Sequence, residues 1–403
     1  AIFFSPAALA GLAGIHLSGG VTLIQAKGGF TDDLLQQRTA LDDPVIPVPN
    51  GFLTYAVNPK WTVGVGVYVP YGLESRWPTA GFEGRFFGYD SKLQAIYVQP
   101  TVGYQMNDWL KVGLGVAYIH STVELHQRVD LSSQTVPGQP FTFAALGIAT
   151  GTDFADGALH ASGNGVAVNF GAIIKVNDQL SIGGHFLSRK TISYTGTAAF
   201  TQVPTNLILA PGNPLTGAAT PVDLLVAANF SGTGPLTNGA ATTAITLPDQ
   251  GSIGLAYKLR DNWTAMADYQ QVVWGWFNSL TITFANPATP TISLTPHNKT
   301  SHGFRFGTEY EYDSRVTLRG GYLIHTGASP ADFVTPLLPE GARYEFTGGA
   351  GFKLGGNLRG DVAYQYIQQL DRRGRVYPSS AVGNTGVFTF HAHLFGFGLA
   401  YTF

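Results

Sequence analysis

Apolar side chains fall on every second residue along most of this chain. In "IYVQPTVGY" Ile96, Val98, Val102 and Tyr104 share one face, and Tyr97, Gln99, Thr101 and Gly103 the other. The last segment, "HLFGFGLAYTF", sets Phe395, Phe397, Leu399, Tyr401 and Phe403 against the small residues Gly396, Gly398 and Ala400. Period two predicts β-strands whose two faces meet different surroundings.

Short turn signals recur, each followed by such a strand: "NPKWTVGVGV", "NDWLKVGLGV", "NDQLSIGGHF", "RDNWTAMADY", "YDSRVTLRGG" and "GGNLRGDVAY". These read as tight hairpin turns. Between them lie long connections rich in Pro, Gly, Ser, Thr and Ala, near residues 28–49, 72–91, 130–158, 199–241, 284–299, 327–342 and 373–387. Tight and long connections alternate, as in an outer-membrane barrel. The expected fold is all-β, an antiparallel transmembrane β-barrel of about 14 strands. A soluble all-β sandwich or propeller shares the alternation and is the competing architecture.

Composition weighs against that competitor. Apolar residues make up 44% of the 403 residues and charged residues only 12%, about half the usual soluble share. No run approaches the roughly 20 apolar residues of a membrane-spanning helix, so a membrane protein of this sequence must cross as a closed barrel. The chain has no cysteine, which removes disulfides, thiolate metal sites and a cysteine nucleophile. Its net charge of −2 offers no basic field for nucleic acid. A signal peptide, if the precursor has one, is not in this sequence. No G-x-S-x-G elbow or comparable nucleophile context appears, so no catalytic residue is assigned and an outer-membrane lipase has no positive support. A general porin needs a wide, charged constriction, which the few charges do not favour.

One strand breaks its own rule. "WTVGVGVY" runs directly into "VPYGLESRW", so the alternation ends on Pro70, Tyr71, Gly72 and Leu73. Proline cannot donate to a ladder and glycine marks bulges or close approaches, so pairing with a neighbour is interrupted here. Unpaired backbone costs several kcal/mol in lipid, so a break of this kind survives where protein or water covers it, as at a functional opening. A second reading is that the segment caps a strand at the rim.

The segments together resemble the FadL and TodX family of outer-membrane transporters for long-chain fatty acids and aromatic hydrocarbons. "FFSPAALAGL" looks like the family's segment leading out of a small N-terminal plug, with Ser5 where asparagine is usual. "VPYGLESRW" is similar to its proline-aromatic-glycine-leucine segment at the end of strand three. "YVQPTVGYQMNDWLKVGLGVAY", "SGNGVAVNFGAIIKVNDQLSIGGHFLSRK", "LPDQGSIGLAYKLRDNWTAMADYQQVVWGWF" and "LRGGYLIHTGASPADFVTPLLPEGARYEFTGGAGF" resemble successive strand pairs. Family members normally carry more plug residues ahead of this point. The resemblance implies a C-terminal part of the plug over residues 1–14 and a barrel with long extracellular loops over 15–403. It also implies that a kink at Pro70, Tyr71, Gly72 and Leu73 opens a lateral gate from lumen to outer leaflet. The terminal Phe403 looks like the signal such barrels present to the assembly machinery.

Within that frame Phe3, Phe4, Pro6, Leu9 and Leu12 are the plug's substrate-contacting candidates, or simply its packing residues. If odd positions face inward on the seventh strand, His185 and Arg189 reach the lumen, where Arg189 could meet a carboxylate. Parity sends Arg305, Glu309, Arg319, Arg359 and Asp361 inward as an ion-pair network, with Arg305 a second carboxylate candidate. His391 and His393 lack a third ligand and read as rim residues, so no metal is expected and no cofactor. Trp274 and Trp276 fit an interfacial girdle. "FTFAALGIAT" and "NLILAPGNPLTGAATPVDLLVAANF" could form a collecting groove. The expected partners are a fatty acid or similar apolar molecule, detergent-like lipids, and the lipid and lipopolysaccharide of a bacterial outer membrane around a monomer. Aromatic-hydrocarbon transport and export of oxidised fatty acids remain open.

Overall fold

The computed structural model describes residues 2–42, 44–376 and 385–403. Residues 377–384, in the last expected connection, lie outside the described residues. Strands dominate, and among the described residues no helix is long and apolar enough to cross a membrane. The wall consists of 14 antiparallel strands, several of them in two pieces. The first six are β1 (Ile15–Asp32), β2 (Val45–Ala56), β3 (Trp61–Arg76), β4 (Asp90–Gln105), β5 (Leu110–Val129) and β6 (Ala155–Lys175). Then come four interrupted strands: β7 (Leu180–Leu187 and Lys190–Gln202), β8 (Gly239–Leu247 and Gln250–Arg260), β9 (Trp263–Val272 and Leu280–Phe284) and β10 (Ile292–Leu294 and Ser301–Glu311). The last four are β11 (Val316–His325), β12 (Arg343–Gly355), β13 (Leu358–Gln369 and Arg372–Arg375) and β14 (Thr385–Thr402). Pairing of β14 with β1, from His16↔Thr402 to Asp32↔Gly386, closes the cylinder.

Four of the six tight turns share one device. The side chains of Asn58, Asn107, Asn177 and Asp313 each accept the backbone N–H groups two and three residues ahead. Those two bonds hold the Asp313 carboxyl below its ordinary range.

The parity read from sequence holds on β4 and β14. Tyr97, Gln99 and Thr101 are buried inside, whereas Phe395, Phe397, Leu399, Tyr401 and Phe403 form an exposed outer row, Phe397 at 50%. Exposed Val63, Val65, Leu114, Phe170, Phe186, Phe304 and Phe346 extend that apolar belt around the wall. Water would not tolerate so large a contiguous patch, and lipid favours it.

Inside, residues 2–14 fold back against β3–β6, with one 3₁₀ turn over Pro6–Leu9. Here five glycines matter through their missing side chains. A Cβ on Gly113 would lie 2.2 Å from the Pro6 carbonyl carbon, and one on Gly103 2.7 Å from the Ala10 nitrogen. Gly64, Gly66 and Gly171 come within 3.0–3.1 Å of Leu9, Ile2 and Pro6 in the same sense. The wall is thus hollowed to seat the segment. At the other end the long loops pack on one another. Leu131, Phe143 and Phe154 bury against Leu209, Val222 and Leu236, so the two loops expected to form a groove share a small core.

Candidate functional site

The β3 interruption is a bulge rather than a strand end. Tyr68 opposes Tyr97 and Tyr71 opposes Ala95, so three steps on β3 answer two on β4. Val69 and Pro70 carry the excess, both tyrosines point inward, and the strand continues to Arg76. The second reading, that the segment caps a strand at the rim, is corrected accordingly, since pairing with β4 continues to Arg76↔Asp90.

On its other edge β3 loses its partner. The β2–β3 ladder runs from Ala56↔Thr62 to Gly51↔Val67 and stops. Above it, among the described residues, the only backbone bond between the two strands' continuations is Asp42 N–H to Arg76 O, 2.9 Å. The facing stretch of β2 holds Pro47 and Pro49, which have no N–H to leave unsatisfied. An elongated slot therefore separates β2 from β3. Its upper end is pinned where Ser75 Oγ (2.9 Å) and Trp77 Nε1 (3.1 Å) donate to Pro336 O.

Behind the slot lies a lumen cavity of about 470 Å³, within the range of small-molecule sites. Pro70, Tyr71, Gly72 and Leu73 line it, with Leu93 and Leu125 beside them and Trp274, Phe277 and Leu280 opposite. One end is polar. Arg343 Nε donates to Glu345 Oε1 (2.8 Å), the Arg343 Nη2 group lies 2.8 Å from His325 Nδ1, and Gln365 donates to Glu345 Oε2. Arg375 also lines the cavity, near the Phe87 and Phe333 rings. Among the described residues no carboxylate lies within ion-pair reach of Arg375, and its Nε is buried without a hydrogen bond.

Below the cavity sits the N-terminal segment. Gln99 Nε2 donates to Ile2 O (3.0 Å), Asn169 Nδ2 donates to Phe3 O (2.9 Å), and Tyr68 Oη donates to Gln99 Oε1 (2.5 Å). A file of rings then climbs from Phe3 through Tyr68, Tyr97 and Tyr71 to Trp274, with centroid spacings of 5.1, 5.8, 6.1 and 6.3 Å. Gln99 is fully buried between the two systems. Its replacement in Gln99→Leu orphans the Tyr68 hydroxyl, at about 1–3 kcal/mol for a buried group left unpaired, and leaves Ile2 O to Asn169 Nδ2 alone at 3.3 Å. The expected result is a lower melting temperature of the heat-modifiable barrel, together with protease cleavage ahead of Gly14. An unchanged melting curve would show that the clamp is dispensable.

The sequence-derived candidates divide. Pro6 and Leu9 are buried in the glycine bed, Phe3 packs on Tyr68, Leu12 is half-buried, and Phe4 stands 59% exposed toward Arg305. His185 faces inward as expected, its Nδ1 2.8 Å from Ser252 Oγ. Arg305 faces inward but is neutralised by Asp268 (2.5 Å). Arg319 joins Glu309 and Asp361, and Arg359 also pairs with Asp361. Arg189 is the misplaced one. Leu187 and Ile192 both face inward although five residues apart, so the phase slips at Ser188–Arg189 and Arg189 turns outward onto the Trp276 ring, 3.6 Å away. Lys190 takes the inward position beside Gly165. His391 and His393 belong to the outer row above Phe395, and His393 Nδ1 lies 2.8 Å from Tyr364 Oη. The glycine bed, the Gln99–Asn169 clamp and Arg375 had no distinguishing pattern in the sequence.

A closed barrel with an apolar belt outside, a greasy cavity within and a slotted wall defines a membrane channel for apolar molecules. The family described as outer membrane protein transport protein (OMPP1/FadL/TodX) matches residues 1–403, and this chain belongs to it. It is 22% identical to Outer membrane protein P1 of Haemophilus influenzae, over 96% of this chain and 83% of that one. It is likewise 22% identical to the Long-chain fatty acid transport protein of Escherichia coli O157:H7, over 96% and 84%. Among solved structures, a Pseudomonas aeruginosa FadL homologue superposes with a TM-score of 0.80 at 20% identity, over 100% of this chain and 93% of that one. The P. putida toluene transporter TodX superposes with a TM-score of 0.71 at 16% identity, over 99% and 92%. The family is one of outer-membrane transporters of hydrophobic molecules, and its fold is that of a channel rather than an enzyme.

Proposed function

We propose that this protein is a passive channel that takes a long-chain fatty acid or a close derivative into the lumen cavity and releases it sideways through the β2–β3 slot. The observation that carries this reading is the contact between cavity and slot: Pro70, Tyr71, Gly72 and Leu73 belong to both. A molecule leaving there enters the outer leaflet without crossing the polar surface layer. The N-terminal segment acts as the plug of the straight path, and the ring file from Phe3 to Tyr71 ties its position to the gate strand.

Arg375 favours a carboxylate head over a bare hydrocarbon, because a cation beside aromatic rings and, among the described residues, without a carboxylate partner gains from an anionic guest. Aromatic hydrocarbons are the second reading, supported by the aromatic lining. Uptake of labelled oleate and of toluene by cells carrying only this outer-membrane transporter separates them. Oleate uptake is expected to dominate and to fall several-fold in Arg375→Gln, with toluene unaffected. Toluene uptake equal to or above that of oleate, indifferent to Arg375→Gln, would move the assignment to hydrocarbons. Export down an outward gradient follows the same path and would appear as efflux from preloaded cells.

A further inference from the structure

The slot beside β3 is not the only weakness in the wall. Four consecutive strands break at one height: β7 at 188–189, β8 at 248–249, β9 at 273–279 and β10 at 295–300. Their lower pieces are 8, 11, 10 and 11 residues long, close to the roughly 9–11 residues a strand needs to cross a bilayer. The breaks therefore lie at the outer boundary of the membrane, level with the β3 bulge.

The widest break is between β9 and β10. Pairing stops at Val272↔Ser301 and resumes at Leu280↔Leu294. Among the described residues no backbone bond joins 274–279 to 295–300. The gap is closed by side chains. Asn298, itself buried, donates from Nδ2 to Phe277 O (2.9 Å) and accepts from Ser329 Oγ (2.8 Å). The 3₁₀ turn Trp274–Trp276 straddles the wall: Trp274 packs inward against Tyr71, and Trp276 is 47% exposed outside under Arg189. The cavity already reaches this turn, since Val272, Trp274, Phe277, Leu294 and Asn298 line it. Unpaired backbone at membrane depth persists only where it borders protein or a cavity.

We infer that the β9–β10 break is a second lateral portal of the same cavity, with the tryptophan turn as its door and Asn298 as its latch. It passes the apolar ligand between cavity and outer leaflet opposite the β2–β3 slot, and Arg189 with Trp276 marks its outer lip at the head-group level. Tyr71 touches both openings: it packs on Trp274 and donates to Pro248 O, 2.7 Å, across the lumen. This inference rests on the cavity being the transport path.

The absence of cysteine makes a direct test clean. A Cβ on Gly275 would lie 3.5 Å from Asn298 O, so Gly275→Cys with Asn298→Cys puts two thiols on facing segments of the door, where a crosslink is first demonstrated by its gel shift. Oleate uptake is measured with the pair oxidised and after dithiothreitol, in the native background and in one whose β3 bulge has been straightened. The expected result is a reversible loss of about a tenth of the uptake in the native background and loss of the residual uptake in the straightened one. Uptake insensitive to the redox state of a demonstrated crosslink in both backgrounds would overturn the portal. A straightened β3 with native uptake that the crosslink abolishes would instead overturn the slot and leave the portal standing. Asn298→Ala supplies a measurement free of crosslinking: uptake is expected to rise by about twofold as the latch is removed, and unchanged uptake by a normally folded barrel would count against the door.

Discussion

Straightening the gate strand is expected to abolish most transport while making the barrel more stable. The variant deletes Pro70, changes Gly72→Val, and changes Pro47→Thr and Pro49→Thr so that the β2 edge can pair. Deleting one residue removes the excess between Tyr68↔Tyr97 and Tyr71↔Ala95 and keeps both tyrosines inward. The β2–β3 ladder can then extend past Gly51↔Val67 toward the Asp42–Arg76 bond. Each new backbone bond is worth roughly 0.5–1.5 kcal/mol net, so the heat-modifiable transition should move up. Oleate uptake should fall about tenfold, since on the proposed path the slot beside Pro70–Leu73 is the main exit from the cavity. Few defects lower transport and raise thermal stability together, which makes this pair of readouts decisive. Undiminished uptake by a demonstrably stabilised barrel would remove the slot from the path.

The same bulge shows how far the sequence could be read. Alternation and the repeated Asn or Asp turn made 14 strands legible, because each strand carries an independent period-two signal and four of the six tight turns have a capping side chain. What failed was the carrying of phase across an interruption. Tyr68 and Tyr71 both face inward three residues apart, and Leu187 and Ile192 do so five apart. An odd spacing between two inward residues means a slipped residue between them. Pro70 announced the first slip; nothing in "FLSRKTI" beyond that spacing announced the second, so Arg189 was expected inside. Long-range features were less accessible still. Gly103, Gly113 and Gly171 belong to three different strands and acquire meaning only once the N-terminal segment lies across them. Arg375 looks like any loop arginine until the cavity is seen beside it.

Those glycines lead to the second large effect. In Gly113→Leu the first added atom falls 2.2 Å from the Pro6 carbonyl carbon and 2.4 Å from the Ala7 nitrogen, both backbone atoms of a turn that is itself buried. A flexible side chain could swing away; a backbone turn whose preceding residues Ile2 and Phe3 are clamped by Gln99 and Asn169 has to move as a unit. Overpacking ordinarily costs about 1–3 kcal/mol, and no rotamer relieves it when the obstacle lies against the Cβ position. Displacement also withdraws Ile2 and Leu9 from their seats, each worth about 1.5–3 kcal/mol when fully buried. The segment is therefore expected to leave the wall rather than compress. Cells carrying Gly113→Leu should become several-fold more permeable to a small hydrophilic dye, with rapid proteolysis ahead of Gly14 and an unchanged heat-modifiable barrel. Gly348→Leu is the matched control, because that glycine is exposed on the outer face with nothing within 4 Å of its Cβ position. A Gly113→Leu barrel as tight to the dye and as protease-resistant as the control would mean that residues 2–14 do not form the barrier, and the block on the straight path would have to lie elsewhere in the lumen.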